Sequence, residues 1–346
     1  MAHANSPERR FTTAEGVAYI ADVLSQSNVS GANAQSVAEA LVRAEIDGQK
    51  GHGFSRVASY ALQARSGKVA GHAAPEAQLT GTSLLRIDAA NGFAFPAIDL
   101  ATDRLIDLCV QTGIAAAGIT RSHHCGQLGA HVERLADAGC VAMMFANSPK
   151  AMAPWGGSAA LFGTNPIAFA APRGKTAPLV IDLSLSKVAR GKVMAAAKAG
   201  EDIPQGWALT ANGAQTTDPK EALGGSMLPA GDAKGAALAL MVEILSATLT
   251  GANHSYDASS FFDAEGDPPG VGQFLIAINA KTVGGPGFTS RLEMLIGAIL
   301  GQDGTRMPGE TRLKNRAKCA VQGFGVAAHL INEIDAVVTN TKRREC

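Results

Sequence analysis

Hydrophobic residues recur at helical spacing early in the chain and in short unbroken runs further along. Residues 12–46 predict two helices with a break at Ser30-Gly31. In the second of them Val37, Ala38, Leu41, Val42 and Ile46 make one apolar face. A third helix is predicted from Arg56 to Ser66, with Val57, Tyr60, Ala61 and Ala64 on one side and Gly67 as its stop. From about Ala74 the texture changes. Leu84 to Ile87, Ile114 to Ile119, Val141 to Phe145, Ile167 to Ala171 and Leu179 to Ile181 are strand-like, and helical stretches such as Ala97 to Thr112 and Gly129 to Ala138 lie between them. Strand and helix mixed in one continuous block predict an α/β or α+β core. Lys234 to Thr250 is apolar almost all round and reads as a buried helix. Residues 252–271 read as a loop near the surface, Phe274 to Ile278 as a strand, Thr289 to Ile299 as a helix, and Arg312 to Asp335 as holding at least one more.

Composition narrows the classes. A chain of 346 residues, 46% apolar and 17% charged, can bury a core of more than one lobe and is not disordered. Thirty basic residues balance thirty acidic ones, so nothing pulls the chain electrostatically toward nucleic acid or an anionic membrane. The polar start MAHANSPERRF lacks the apolar core of a secretory signal, and no apolar run approaches the ~18 residues of a membrane span. Cys109, Cys125, Cys140, Cys319 and Cys346 are odd in number, scattered and without CxxC spacing. They predict reduced thiols in the cytoplasm. Despite 39 glycines there is no GxGxxG, GxxxxGK[ST] or HExxH, which disfavours an ordinary Rossmann domain, P-loop chemistry and a zincin site.

Five blocks carry candidate chemistry. In Gly51-His52-Gly53-Phe54-Ser55-Arg56, flanking glycines open access to an imidazole suited to proton transfer, and Arg56 could grip a carboxylate. The same residues also suit a helix cap and a surface cation. Ser122-His123-His124-Cys125-Gly126 follows a strand and precedes a helix, where α/β proteins place ligands; one of its two histidines is expected to face the site. No carboxylate or cysteine completes a familiar metal-ligand spacing there. Asn147-Ser148-Pro149-Lys150, continuing to Gly163-Thr164-Asn165-Pro166, is a structured loop with exposed amides and a lysine placed to polarise an oxyanion. Asp182-Leu183-Ser184-Leu185-Ser186 offers hydroxyls on one face for phosphate or ribose, and an aspartate that could orient a histidine; a strand edge with a helix cap is the plain alternative. Gly231 to Gly235, with Lys234, opens a helix as an anion site would, and Met307-Pro308-Gly309-Glu310 forms a rigid turn.

In order, the blocks HGFSR, SHHCGQLG, NSPKAMAPWGG, GTNPIAFAAP, DLSLSKVARGK, GDAKG and MPGE resemble the type-2 malate/L-lactate dehydrogenase family over residues 12 to 335. That group includes ureidoglycolate, sulfolactate and diketogulonate dehydrogenases and reductases of piperideine- and pyrroline-2-carboxylate. The resemblance implies a non-Rossmann α/β fold binding NAD or NADP, and a homodimer. It places a helical lobe at 1–73 with 300–346 and a cofactor-binding domain at 74–299. His52 matches a proton donor to the substrate carbonyl and Arg56 a carboxylate ligand, with Tyr60 one turn along on the same helix face and so expected to line the pocket. His124 matches a histidine beside substrate and nicotinamide, and Lys150 a substrate-proximal loop. Cofactor contacts are expected from His124, Ser148, Thr164, Asn165, Asp182, Leu183, Ser184, Ser186, Lys234, Pro308, Gly309 and Glu310, with no metal.

Many family members carry serine where this chain has Gly51. The imine reductases assign that serine to a relay, so its absence tilts the reading toward an oxo-acid or sulfo-acid dehydrogenase. A cyclic-imine reductase is the rival within the class. A Ser-His-Asp hydrolase lacks its GxSxG elbow, and a non-catalytic metabolite-binding protein is the remaining alternative.

Overall fold

The computed structural model describes residues 8–342, with side chains described to Thr339. The expectations for Cys346 and for the residues before Glu8 fall outside that range. The chain begins with β1 (Glu8–Phe11), α1 (Thr13–Ser25), α2 (Gly31–Ile46) and α3 (Val57–Ser66). Thr12 and Glu15 cap the start of α1 reciprocally, and Ser30 caps α2, so the predicted break is two helix ends meeting in a loop. α3 stops at Gly67, whose φ of 81° admits glycine without strain.

Next come β2 (Glu76–Leu79), β3 (Leu84–Asp88), α4 (Ala94–Thr112), β4 (Ile114–Ser122), α5 (Leu128–Asp137), β5 (Cys140–Ala146), β6 (Ile167–Ala171) and β7 (Leu179–Leu183). A small excursion follows: α6 (Arg190–Ala199), β8 (Ala208–Leu209), β9 (Gln215–Thr216), α7 (Pro219–Gly224) and β10 (Ser226–Met227). The chain then forms α8 (Ala233–Glu243), a π-helical turn at Ile244–Thr248, β11 (Val271–Asn279), α9 (Ala280–Gly284), α10 (Phe288–Leu300), α11 (Glu310–Gln322), β12 (Phe324–Ala327) and α12 (Ala328–Lys342).

Seven strands make the main sheet in the order β2-β3-β4-β11-β5-β6-β7. Only the β3–β4 pair is parallel; the late strand β11 inserts between β4 and β5, antiparallel to both. The sheet therefore holds one parallel βαβ unit, β3-α4-β4, and not the βαβαβ half of a Rossmann domain that a GxGxxG turn serves. α4 and α5 cover the sheet through a core rich in small side chains, Ala115, Ala117, Ala142 and Ala277 beneath Ile98, Leu105, Leu128, Val132 and Leu135. A second core joins α1, α2 and α3 to the end of the chain: Phe11 pairs with Phe324 across β1–β12, and Phe54, Tyr60, Phe93 and Ile331 pack with them.

The helix predicted over Lys234 to Thr250 forms, but it is not buried all round. Ala236, Ala239 and Val242 pack inward, whereas Leu238, Leu240, Met241, Ile244 and Leu249 are exposed, Leu249 at 61%. Periodicity showed that no face was polar; it could not show that this chain has packing for only one of those faces. No helix among the described residues is long and apolar enough to cross a membrane.

Candidate active site

The His52 block is held by a buried carboxylate that sequence reading missed. Glu45, in the last turn of α2, accepts the amide of Phe54 at 3.1 Å. A Cβ on Gly53 would lie 2.3 Å from that carboxylate, so only glycine lets the turn close. His52 ends one 3-10 turn and Arg56 the next, immediately before α3. Arg56 donates from Nε to the carbonyl of Gly51 at 2.7 Å, while its Nη1 is buried without a partner. A half-buried arginine with one buried, free donor suits an anionic ligand, because leaving that donor unpaired costs desolvation.

β4 delivers the two histidines, and both are buried. They part company as alternating side chains do. His123 donates from Nε2 to Gln63 of α3 at 2.8 Å. His124 turns to the His52 block: its Nε2 lies 3.1 Å from Nδ1 of His52, with the rings stacked 5.1 Å apart. Its Nδ1 meets the hydroxyl of Tyr60 at 2.5 Å. Tyr60, expected to line the pocket, is thus wholly buried behind His124. Burial, reinforced by the Arg56 cation, pulls the pKa of His52 down to about 4 and that of His123 to about 3, and holds His124 well below the usual histidine range. All three imidazoles are neutral at physiological pH.

The segment at 252–271 is a loop, but it also roofs this cluster. Phe261 is buried with its ring 5.3 Å from both His123 and His124. Phe262 sits 4.4 Å from the Arg56 guanidinium, a cation–π contact of about 0.5–2 kcal/mol. Asp263 anchors the roof: buried Lys68 pairs with its carboxylate at 3.0 Å, and Gln63 donates to its carbonyl at 2.9 Å. Two adjacent phenylalanines in an otherwise polar loop were the available signal.

The other predicted residues divide into three sets. Ser148 accepts the amide of Thr164 through Oγ at 3.2 Å; Leu185 donates its amide to Thr164, and Ala230 donates to Leu185, both at 2.8 Å. Ser184 and Ser186 hydroxyls lie 3.2 Å apart, Leu183 is exposed, and Lys234 is exposed at the start of α8. Gly309 approaches β7, with Val180 O 3.4 Å from its would-be Cβ, so Pro308, Gly309 and Glu310 border the same strand. Bonds join the Ser148, Thr164 and Leu185 segments to one another, and hydroxyls, turn amides and an ammonium are the groups that suit a dinucleotide's riboses and phosphates.

Two of the expected residues are engaged elsewhere. Asp182 orients no histidine: its carboxylate accepts the amide of Gly129 at 2.7 Å, capping the N-terminus of α5, where free amides and the helix dipole favour negative charge. Asn165 is spent internally, donating to Ala239 O and to Glu243, which in turn receives Ser255. Lys150 has an exposed side chain, and its amide donates to Ser255 O at 2.8 Å. Among the described residues no group of three or more His, Cys, Asp or Glu side chains gathers as a metal site.

Comparison with known proteins gives a consistent result. A family model described as malate/L-lactate dehydrogenase matches residues 11–335. The (2R)-3-sulfolactate dehydrogenase (NADP(+)) of Chromohalobacter salexigens is 55% identical over 279 residues, covering 81% of this chain and 83% of that protein. The Delta(1)-pyrroline-2-carboxylate/Delta(1)-piperideine-2-carboxylate reductase of Pseudomonas putida is 39% identical over 309 residues, 88% of this chain and 89% of its own. The crystal structure of delta1-piperideine-2-carboxylate reductase from Pseudomonas syringae superposes with a TM-score of 0.90 at 35% identity, over 95% of this chain and 99% of that one. A mixed sheet without a Rossmann half, ending in a neutral histidine pair beside a half-buried arginine, therefore has an established lineage: the chain belongs to the malate/L-lactate dehydrogenase family and is an NAD(P)-dependent oxidoreductase.

Proposed function

We propose that the enzyme interconverts a small 2-oxo acid and its 2-hydroxy acid, with the sulfolactate type as preferred substrate and NADP as cofactor. The observation that carries this reading is the pairing of His52, whose Nε2 makes no bond to the described residues, with Arg56, whose Nη1 is buried and unpaired. The dinucleotide, when bound, supplies or accepts the hydride at C2. Ser148, Thr164, Leu183, Ser184, Ser186, Lys234, Pro308, Gly309 and Glu310 would hold it. Arg56 holds the substrate carboxylate through two of its donors, which fixes C2 beside His52. His52 gives a proton to the carbonyl oxygen in reduction and takes it back in oxidation. The Phe261–Phe262 roof excludes water, which strengthens both contacts.

The test is a panel of sulfopyruvate, oxaloacetate, pyruvate and piperideine-2-carboxylate with NADPH and NADH, followed at the nicotinamide absorbance band. Faster turnover of the sulfo acid than of the imine supports the reading. Turnover of the imine alone transfers it to the reductase branch, and no binding of either cofactor leaves a metabolite-binding protein.

The imine branch hinges on Gly51, around whose would-be Cβ nothing lies within 4 Å. Gly51→Ser is therefore expected to fold normally, with the unfolding midpoint moving by less than about 2 °C. It is also expected to raise the ratio of imine to oxo-acid turnover, since a hydroxyl beside His52 restores the missing relay member. An unchanged ratio removes Gly51 from substrate choice.

A homodimer is proposed for the exposed apolar ridge of α8 and the π-helical turn after it, because Leu238, Leu240, Met241 and Ile244 are exposed there. Sedimentation should report a dimer for the native chain and a monomer for Leu240→Asp combined with Ile244→Asp. A double variant that stays dimeric places the interface elsewhere. A cytoplasmic setting, where thiols stay reduced, suits the free Cys109, Cys125, Cys140 and Cys319.

A further inference from the structure

We infer that Tyr60, His124 and His52 form a proton relay in which Tyr60, acting through His124, fixes the tautomer of His52 and supplies the proton that His52 passes to the substrate. The inference rests on the reading of His52 as proton donor and assigns the source of its proton.

The hydrogen-bond chain settles where the protons sit. Tyr60 is buried, and burial keeps its hydroxyl protonated. That O–H has two acceptors in reach, Nδ1 of His124 at 2.5 Å and the His124 carbonyl at 3.5 Å, and it goes to the nearer. His124 is neutral and so holds its one proton on Nε2. That N–H points at Nδ1 of His52, 3.1 Å away. His52, also neutral, must then carry its proton on Nε2, the nitrogen left for substrate. The other groups facing the chain are Arg56, His123 bonded to Gln63, Lys68 paired with Asp263, and the Cys125 thiol, which burial keeps protonated.

A lone neutral imidazole is a poor acid, because losing its N–H leaves an imidazolate. The chain removes that obstacle. As Nε2–H of His52 passes to the developing alkoxide, Nδ1 takes the Nε2 proton of His124, and Nδ1 of His124 takes the phenolic proton. One O–H bond forms on the product and one breaks at Tyr60. Both histidines remain neutral with their tautomers exchanged, and the negative charge rests transiently on a phenolate that burial disfavours and the Arg56 guanidinium only partly offsets. After product leaves, a solvent proton taken up at Nε2 of His52 runs the chain back.

The pH profile of reduction tests this. In the native enzyme kcat for reduction is expected to be flat between roughly pH 6 and 9, since no imidazolium has to form beforehand. Tyr60→Phe keeps the ring and removes the proton. Its kcat should fall about 10³-fold at pH 7 and about tenfold for each further pH unit, because His52 must now be protonated in advance, while KM is unchanged. His124→Gln places an amide donor where Nε2 was but transmits no proton, so adding Tyr60→Phe to it should cost nothing more. Nitrogen NMR of the native protein supplies a readout independent of activity: His52 and His124 should both be Nε2–H tautomers. A native-like pH profile in Tyr60→Phe, or an Nδ1–H tautomer at native His52, would overturn the relay. Full reductase activity in His52→Ala would instead overturn the donor reading beneath it.

Discussion

Replacing His52 with alanine is expected to lower turnover by about 10²–10⁴-fold in both directions, with cofactor affinity unchanged. The magnitude follows from loss of a positioned acid–base group, and the unchanged affinity from geometry. Among the described residues the His52 side chain bonds only to His124, while the serine, lysine and turn segments assigned to the dinucleotide belong to other elements. The pH dependence has a definite sign. Burial first, and then the Arg56 charge, depress the His52 pKa to about 4, so the neutral form predominates above that pH. A base for oxidation needs Nε2 of His52 free of its proton, which in the relay means one proton fewer on the Tyr60–His124–His52 chain, so oxidation should rise with pH across and above the neutral range. Steady-state kinetics with a fluorescence titration of NADPH checks both parts; native turnover in the alanine variant would remove His52 from the chemistry.

Arg56→Leu should reduce kcat/KM about 10²–10³-fold, chiefly through KM, because two charge-assisted hydrogen bonds to a carboxylate are worth roughly 3–4 kcal/mol together. Arg56→Lys should recover little of this, since an ammonium offers a point charge and not a planar fork. Phe262→Leu provides the control. It removes the ring that covers the guanidinium but leaves the Nε bond to Gly51 intact, so its effect should be several-fold smaller. Equal losses in the arginine and phenylalanine variants would mean that Arg56 serves the roof and not the substrate.

The elements themselves were largely legible. The α3 stripe Val57, Tyr60, Ala61 and Ala64 is buried as its spacing requires, and each strand-like run from Leu84 to Ile181 lies in the main sheet. These features depend on side-chain periodicity, which is local. The site was legible as ordered segments but not as contacts. Glu45, Gln63, Lys68 and Phe261 lie outside the blocks that suggested chemistry, yet they hold the histidines in place. Asp182 illustrates the converse, an acidic residue in a suggestive block whose partner is a helix end.

What the sequence alone determined is the set of helices and strands, the glycine stops such as Gly67, and a family likeness carried by motif order. Tertiary structure decided which of these segments meet. It inserted β11 between β4 and β5, brought His124 onto His52 across 72 positions of chain, laid Phe262 on Arg56, and left one face of α8 without cover. The physical reason is that periodicity records which faces must leave water, whereas hydrogen bonds between distant side chains form only once packing has fixed their separation.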